Sequence, residues 1–114
     1  MIIQITSRHV EVTDAVRGYV ENRLSPVLNV YPMVEHAHVI MDVEKFRHIA
    51  EVVVQGKQHL HAEARAETDD MYKSIDAVTD KIDRQLRKAR DKKVDHKTGA
   101  HRERLADVEG AGEL

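Results

Sequence analysis

Residues 36–67 read HAHVIMDVEKFRHIAEVVVQGKQHLHAEARAE, and the fold turns on how that run alternates. Ala37, Val39, Met41 and Val43 alternate with His36, His38, Ile40 and Asp42; Ala50, Val52 and Val54 alternate with Glu51, Val53 and Gln55. Leu60, Ala62, Ala64 and Ala66 then alternate with His59, His61, Glu63, Arg65 and Glu67. A period of two marks strands with one buried face and one wet face, so the run predicts three consecutive strands. Gly56 and Lys57 read as the hairpin between the last two. The alanines of the last strand are small, which predicts a helix lying close against it.

On the carboxy-terminal side, Asp69 or Asp70 is placed to cap a helix, and Met71, Ile75, Val78, Ile82, Leu86 and Ala89 recur at steps of three and four, the spacing of one apolar helix face. On the amino-terminal side, Ile2 to Thr6 reads as a strand, after which Thr13 or Asp14 caps a helix through Val16, Val20 and Leu24. Pro26 is predicted to stop or kink that helix near Ser25. The order is therefore β-α-β-β-β-α, an α+β fold in which two helices pack on one face of a four-stranded sheet and leave the other face wet. One domain over residues 1–95 accounts for all of these elements. Residues 96–114, polar and glycine-containing, are expected to form a mobile tail.

Charge is distributed unevenly. Residues 1–70 hold 7 basic and 11 acidic side chains, 71–97 hold 9 and 5, and 98–114 hold 2 and 4, so a chain of formal charge −2 contains a segment of net +4. Lys81, Arg84, Arg87, Lys88, Arg90, Lys92 and Lys93 make that segment, with Asp83 and Asp91 the acids among them. Lys81, Arg84, Lys88 and Lys92 repeat at helical steps beside the apolar stripe. A local cationic ridge on a slightly acidic chain is a docking surface for phosphates. The plainer possibility is a solvated helix face, with Asp80 and Asp83 neutralising Lys81, Arg84 or Arg87. Arg8 and Arg17 extend the ridge as candidates. Tyr72 stands at the helix start, where two roles are open: a nucleotide contact, or packing against the sheet edge.

Other chemistry finds little support. The chain has no cysteine, which removes thiolate metal sites and nucleophiles and suits a reducing cytoplasm. No apolar run approaches the ~20 residues of a membrane span, and no leader pattern opens the chain. His36 with His38 and His59 with His61 each place two imidazoles on one side of the sheet, half of a metal site. With strands in sequence order, a whole strand separates the pairs by about 10 Å, so they read as separate surface histidines. There is no glycine-rich phosphate loop, nucleophile elbow or defined carboxylate pair. The expectation is a binding protein without cofactor, metal, membrane or small-molecule substrate, and not an enzyme.

Certain runs resemble a known family. Asp70-Met71-Tyr72, Ser74-Ile75-Asp76 and Asp80-Lys81-Ile82-Asp83-Arg84-Gln85-Leu86-Arg87-Lys88 are similar to the second-helix signature of the ribosome hibernation promoting factors, also called the ribosome-associated inhibitor or sigma factor modulation family. Ile5-Thr6-Ser7 with Val12-Thr13-Asp14-Ala15-Val16-Arg17 resembles that family's first strand and helix entry, and Val43-Glu44-Lys45 its second strand end. The resemblance covers about residues 1–95.

It implies a fold like a double-stranded RNA-binding domain, seated on rRNA in the tRNA and mRNA channel of the small ribosomal subunit, where it blocks both ligands by occupying their space and preserves idle ribosomes in slow growth or stress. The chain departs from the pattern at Ser25 and Pro26, where relatives carry lysines, leaving Arg17 and Arg23 on the first helix. The tail is too short for the extra dimerisation domain of long forms, which implies a short form. Some short forms help a second ribosome-dimerisation factor pair ribosomes and others keep them single; the body here is more similar to the first kind, at Val43-Glu44-Lys45 and Ser74-Ile75-Asp76. A different function stays open: a protein-binding modulator of the transcription machinery, acting through the exposed sheet face.

Overall fold

The computed structural model describes residues 1–95, with side chains through residue 92. The expected tail over 96–114 and the side chain of Lys93 lie outside the described residues. Strand β1 (Ile2–Arg8) leads into helix α1 (Asp14–Leu28), followed by β2 (Val34–Glu44), β3 (Arg47–Gly56), a short 3-10 turn (Lys57–His59), β4 (His61–Thr68) and α2 (Met71–Asp95). The sheet order is β1-β2-β3-β4, with β1 parallel to β2 and the other pairs antiparallel. The parallel pair needs a crossover, and α1 provides it.

Both helices lie on one face. Val20, Leu24 and Leu28 of α1 are buried with Met71, Ile75, Val78, Ile82 and Leu86 of α2 against Ala37, Val39, Met41, Ala50, Val52, Val54, Ala62, Ala64 and Ala66 of the sheet. The inward set on the strands is the alternating set in the sequence. The small residues of β4 admit α2 to the backbone: Lys81 Nζ donates to the Arg65 carbonyl at 2.8 Å and Gln85 Nε2 to the Glu63 carbonyl at 2.6 Å. Since β4 is an edge strand, these donors also occupy carbonyls that a foreign strand would otherwise pair with.

Two local expectations are corrected. Of the stop or kink expected near Ser25, the stop does not occur: helix α1 passes through Pro26 to Leu28, and the Asn29 amide donates to the Ser25 carbonyl at 2.9 Å. In a last turn, proline removes only the bond to the Asn22 carbonyl. Asn22 is exposed, so its carbonyl is open to solvent, while fully buried Leu28 holds the turn down. Gly56 and Lys57 are not a two-residue hairpin either. Gln58 and His59 have φ of 58° and 64°, so the turn is longer and β4 begins at His61. Gly56 itself is extended, with φ −168°. Its requirement is space: an added Cβ would stand 2.0 Å from the Met33 carbonyl oxygen, which accepts the Lys57 amide at 2.9 Å.

Candidate nucleic-acid interface

Helix α2 starts where the sequence places a cap. Asp70 Oδ1 accepts the Tyr72 amide at 3.3 Å, and the Asp70 carbonyl accepts the Ser74 amide at 3.0 Å. The buried Ser74 hydroxyl donates to the His48 carbonyl on β3 at 2.6 Å and lies 2.7 Å from Thr68 Oγ1, which locks the first turn to the sheet.

From there the helix sorts its charge by direction. The two helices run side by side with the same polarity: Tyr19 meets Tyr72 and Asp76, and further along Tyr31 meets Asp83 and Arg90. The seam between them is polar and closely bonded. Asp76 Oδ1 accepts both the Tyr19 hydroxyl and Arg23 Nε at 2.7 Å. The Arg23 bond, reinforced by Tyr19, holds the Asp76 carboxyl below its ordinary value, and the bond to Asp76 raises the Tyr19 hydroxyl above its own. Asp83 accepts the Tyr31 hydroxyl at 2.6 Å and pairs with Arg87 at 2.8 Å. Burial, followed by the bond to Asp83, pushes the Tyr31 hydroxyl up.

Asp76 and Asp83 of α2 thus turn toward α1, and another flank carries cations. With about 100° of rotation per residue, Lys81, Arg84, Lys88 and Lys92 share the side of α2 that faces outward past β4. Lys81 is tethered to the β4 backbone. Arg84, Lys88 and Lys92 are exposed and have no ion-pair or hydrogen-bond partner among the described residues. An exposed row of three cations at steps of four, with no direct ion pair, holds counterions that can be exchanged for a polyphosphate.

The other candidates are elsewhere. Arg87 lies on the seam, held by Asp83, and the Arg90 guanidinium sits 5.4 Å from the centroid of the Tyr31 ring. Tyr72 packs edge-to-face on Tyr19 of α1, with centroids 4.8 Å apart. Arg17 precedes Tyr19 by two residues and points about 200° away from it round α1, on the flank remote from α2. Arg8 is on the open face of the sheet opposite Asp42 in register, and His9 Nδ1 lies 2.9 Å from Asp42 Oδ1. The His9 contact, aided by the Val43 amide, lowers the Asp42 carboxyl. Lys57 and His59 were not among the sequence candidates. Because α2 runs antiparallel to β4, their turn lies toward the end of the helix that carries Lys88 and Lys92.

The histidines divide as well. His36 and His61 are both opposite Gln55, two strands apart, His38 Nε2 lies 2.8 Å from Thr6 Oγ1, and His61 Nε2 lies 2.7 Å from Glu63. His59 is in the turn rather than on β4, which corrects its pairing with His61 on one strand. Among the described residues no three potential ligands gather as a metal site. Nor is any described helix long and apolar enough to cross a membrane.

Comparison with known proteins gives this geometry its relatives. The family model described as sigma 54 modulation protein / S30EA ribosomal protein matches residues 3–94. A Pseudomonas putida protein named ribosome hibernation promoting factor is 39% identical over 102 residues, covering 88% of this chain and 97% of its own. Among solved structures, a ribosomal subunit interface protein from Coxiella burnetii superposes with a TM-score of 0.74 at 30% identity, over 79% of this chain and 98% of that one. The N-terminal domain of Protein Y from Thermus thermophilus gives 0.70 at 29%, over 77% and 98%.

Proposed function

Because this chain belongs to the sigma 54 modulation protein / S30EA ribosomal protein family, we propose that it is a ribosome hibernation factor, which binds rRNA of the small subunit and excludes tRNA and mRNA by occupying their channel. The observation that carries this reading is the row of Arg84, Lys88 and Lys92 beside Lys81, three cations with no ion-pair partner among the described residues, on a helix that spends Asp76 and Asp83 on Tyr19, Arg23, Tyr31 and Arg87. RNA helices are recognised chiefly by shape and backbone, so a rigid cationic flank suffices and few base-reading groups are needed. No bond is made or broken; the action is steric. The protein works where ribosomes are, in the cytoplasm. The similarity at Val43-Glu44-Lys45 and Ser74-Ile75-Asp76 supports a role beside a second dimerisation factor, with residues 1–95 as the ribosome-binding domain.

The test is sedimentation of purified ribosomes with the wild type and with Arg84→Glu/Lys88→Glu/Lys92→Glu, read across a salt series. We expect binding by the wild type that falls steeply with salt, each neutralised phosphate adding about 0.7–0.9 to the logarithmic slope. The triple variant is expected to lose co-sedimentation while keeping the wild-type melting midpoint, since none of the three contacts the core. Ribosome binding at full strength by the folded triple variant would reject the cationic flank.

A further inference from the structure

The most anomalous side chain on the molecule is Phe46. It is the only phenylalanine in the sequence, and it is 85% exposed. An aromatic ring normally repays its place by burial, and this one has no part in the core. It stands at the tip of the β2–β3 hairpin, where Glu44 pairs with Arg47 and only Lys45 and Phe46 make the turn. Lys45 has φ of 57°, a conformation that side chains other than glycine adopt rarely. The stem is braced: Arg47 Nη2 lies 2.8 Å from Glu44 and Nη1 3.6 Å from Glu67 on β4.

Resting on the ribosome-binding reading above, we propose that Phe46 is a second contact to RNA, a stacking platform for an unpaired nucleobase. Three features favour a base. A two-residue tip is convex and presents the ring to a splayed-out nucleotide, where stacking needs only a free π face. The ring is held out by a paired and ion-bridged stem, so little freedom is lost when a base lands on it. Beside it Lys45 has no partner among the described residues, leaving one ammonium for the adjoining phosphate.

The charge at this end assigns the work to the ring rather than to phosphates. Arg47 is offset by Glu44 and Glu67, and Asp69 with Lys73 closes another pair nearby. The hairpin adjoins the start of α2, since Ser74 is bonded to His48 next to Arg47. Arg84 is roughly 20 Å further along the helix, by the rise per residue. Stacking at one end and cationic contacts on the far flank make a two-point attachment that fixes orientation as well as affinity.

The experiment titrates purified small ribosomal subunits with the wild type, Phe46→Trp, Phe46→Leu and Phe46→Ala across the same salt series. A companion arm places p-benzoylphenylalanine at position 46 and irradiates the complex. We expect Phe46→Trp to bind as the wild type does, and Phe46→Leu and Phe46→Ala to bind roughly tenfold or more weakly, with salt slope and melting midpoint unchanged. The cross-linked product should be destroyed by ribonuclease. Wild-type affinity for Phe46→Leu would overturn the proposal, and so would a cross-link to a ribosomal protein, because an apolar protein pocket accepts an aliphatic side chain of similar size. If the leucine variant binds normally while charge reversal on α2 abolishes binding, stacking alone is wrong. If the wild type does not bind subunits at low salt, both readings fall.

Discussion

At the residue scale, several side chains do something other than their type suggests. Gly56 is the clearest: it is extended, and its missing Cβ makes room for the Met33 carbonyl. Gly56→Ala should therefore destabilise the fold by about 2 kcal/mol or more, read as a lowered denaturant midpoint, because backbone and not a flexible side chain is in the way. Asp76 gathers Tyr19 and Arg23 and ties α1 to α2. Its carboxyl is held below the ordinary 3.8, chiefly by Arg23. A depressed carboxylate contributes stability that is present above the unfolded-state value and is lost as pH falls through the folded one. Stability should thus decline on acidification below about pH 4, and Asp76→Asn should flatten part of that decline, checked by urea melts at pH 7 and pH 3. The contribution is small, since Arg23 and Asp76 are both partly exposed.

At the scale of elements, α2 serves three neighbours at once. Its apolar stripe packs on β3 and β4, Asp76 and Asp83 face α1, and Arg84, Lys88 and Lys92 face outward, so one helix builds core, seam and candidate interface. The alanines of β4 set its height. Ala64→Leu is expected to cost about 1–3 kcal/mol and to disturb the Lys81 and Gln85 bonds to β4, visible as faster amide exchange along that strand. Much of this was legible in the sequence. Alternation located the inward sets of β2, β3 and β4, and steps of three and four located the inner face of α2. The β3–β4 turn was not legible, because Gln58 and His59 are unremarkable residues that tertiary context holds in the left-handed region. Gly56 signalled a turn when the reason for it was a neighbour distant in sequence. For α1, proline rules apply to helix interiors and yield at a last turn anchored by Leu28.

Across the whole molecule, the six described cations of what reads as one ridge divide by direction once α1 is in place. A linear sequence gives the spacing along α2 but not which side meets the parallel helix, so Arg87 and Arg90 could not be told from Arg84 and Lys88. Likewise Arg8 belongs to the open sheet face and Arg17 to the far flank of α1. The resulting body has an outer cationic flank, an acidic seam saturated by its own arginines and tyrosines, and an aromatic tip at the hairpin end. On the function proposed above, such asymmetry would orient the protein in a channel walled by RNA. The direct measurement is competition between this protein and tRNA for vacant small subunits at low salt. The account predicts mutual exclusion, with bound tRNA displaced as the protein is added and no displacement by the Arg84→Glu/Lys88→Glu/Lys92→Glu variant. Simultaneous, undiminished binding of protein and tRNA to one subunit would contradict it.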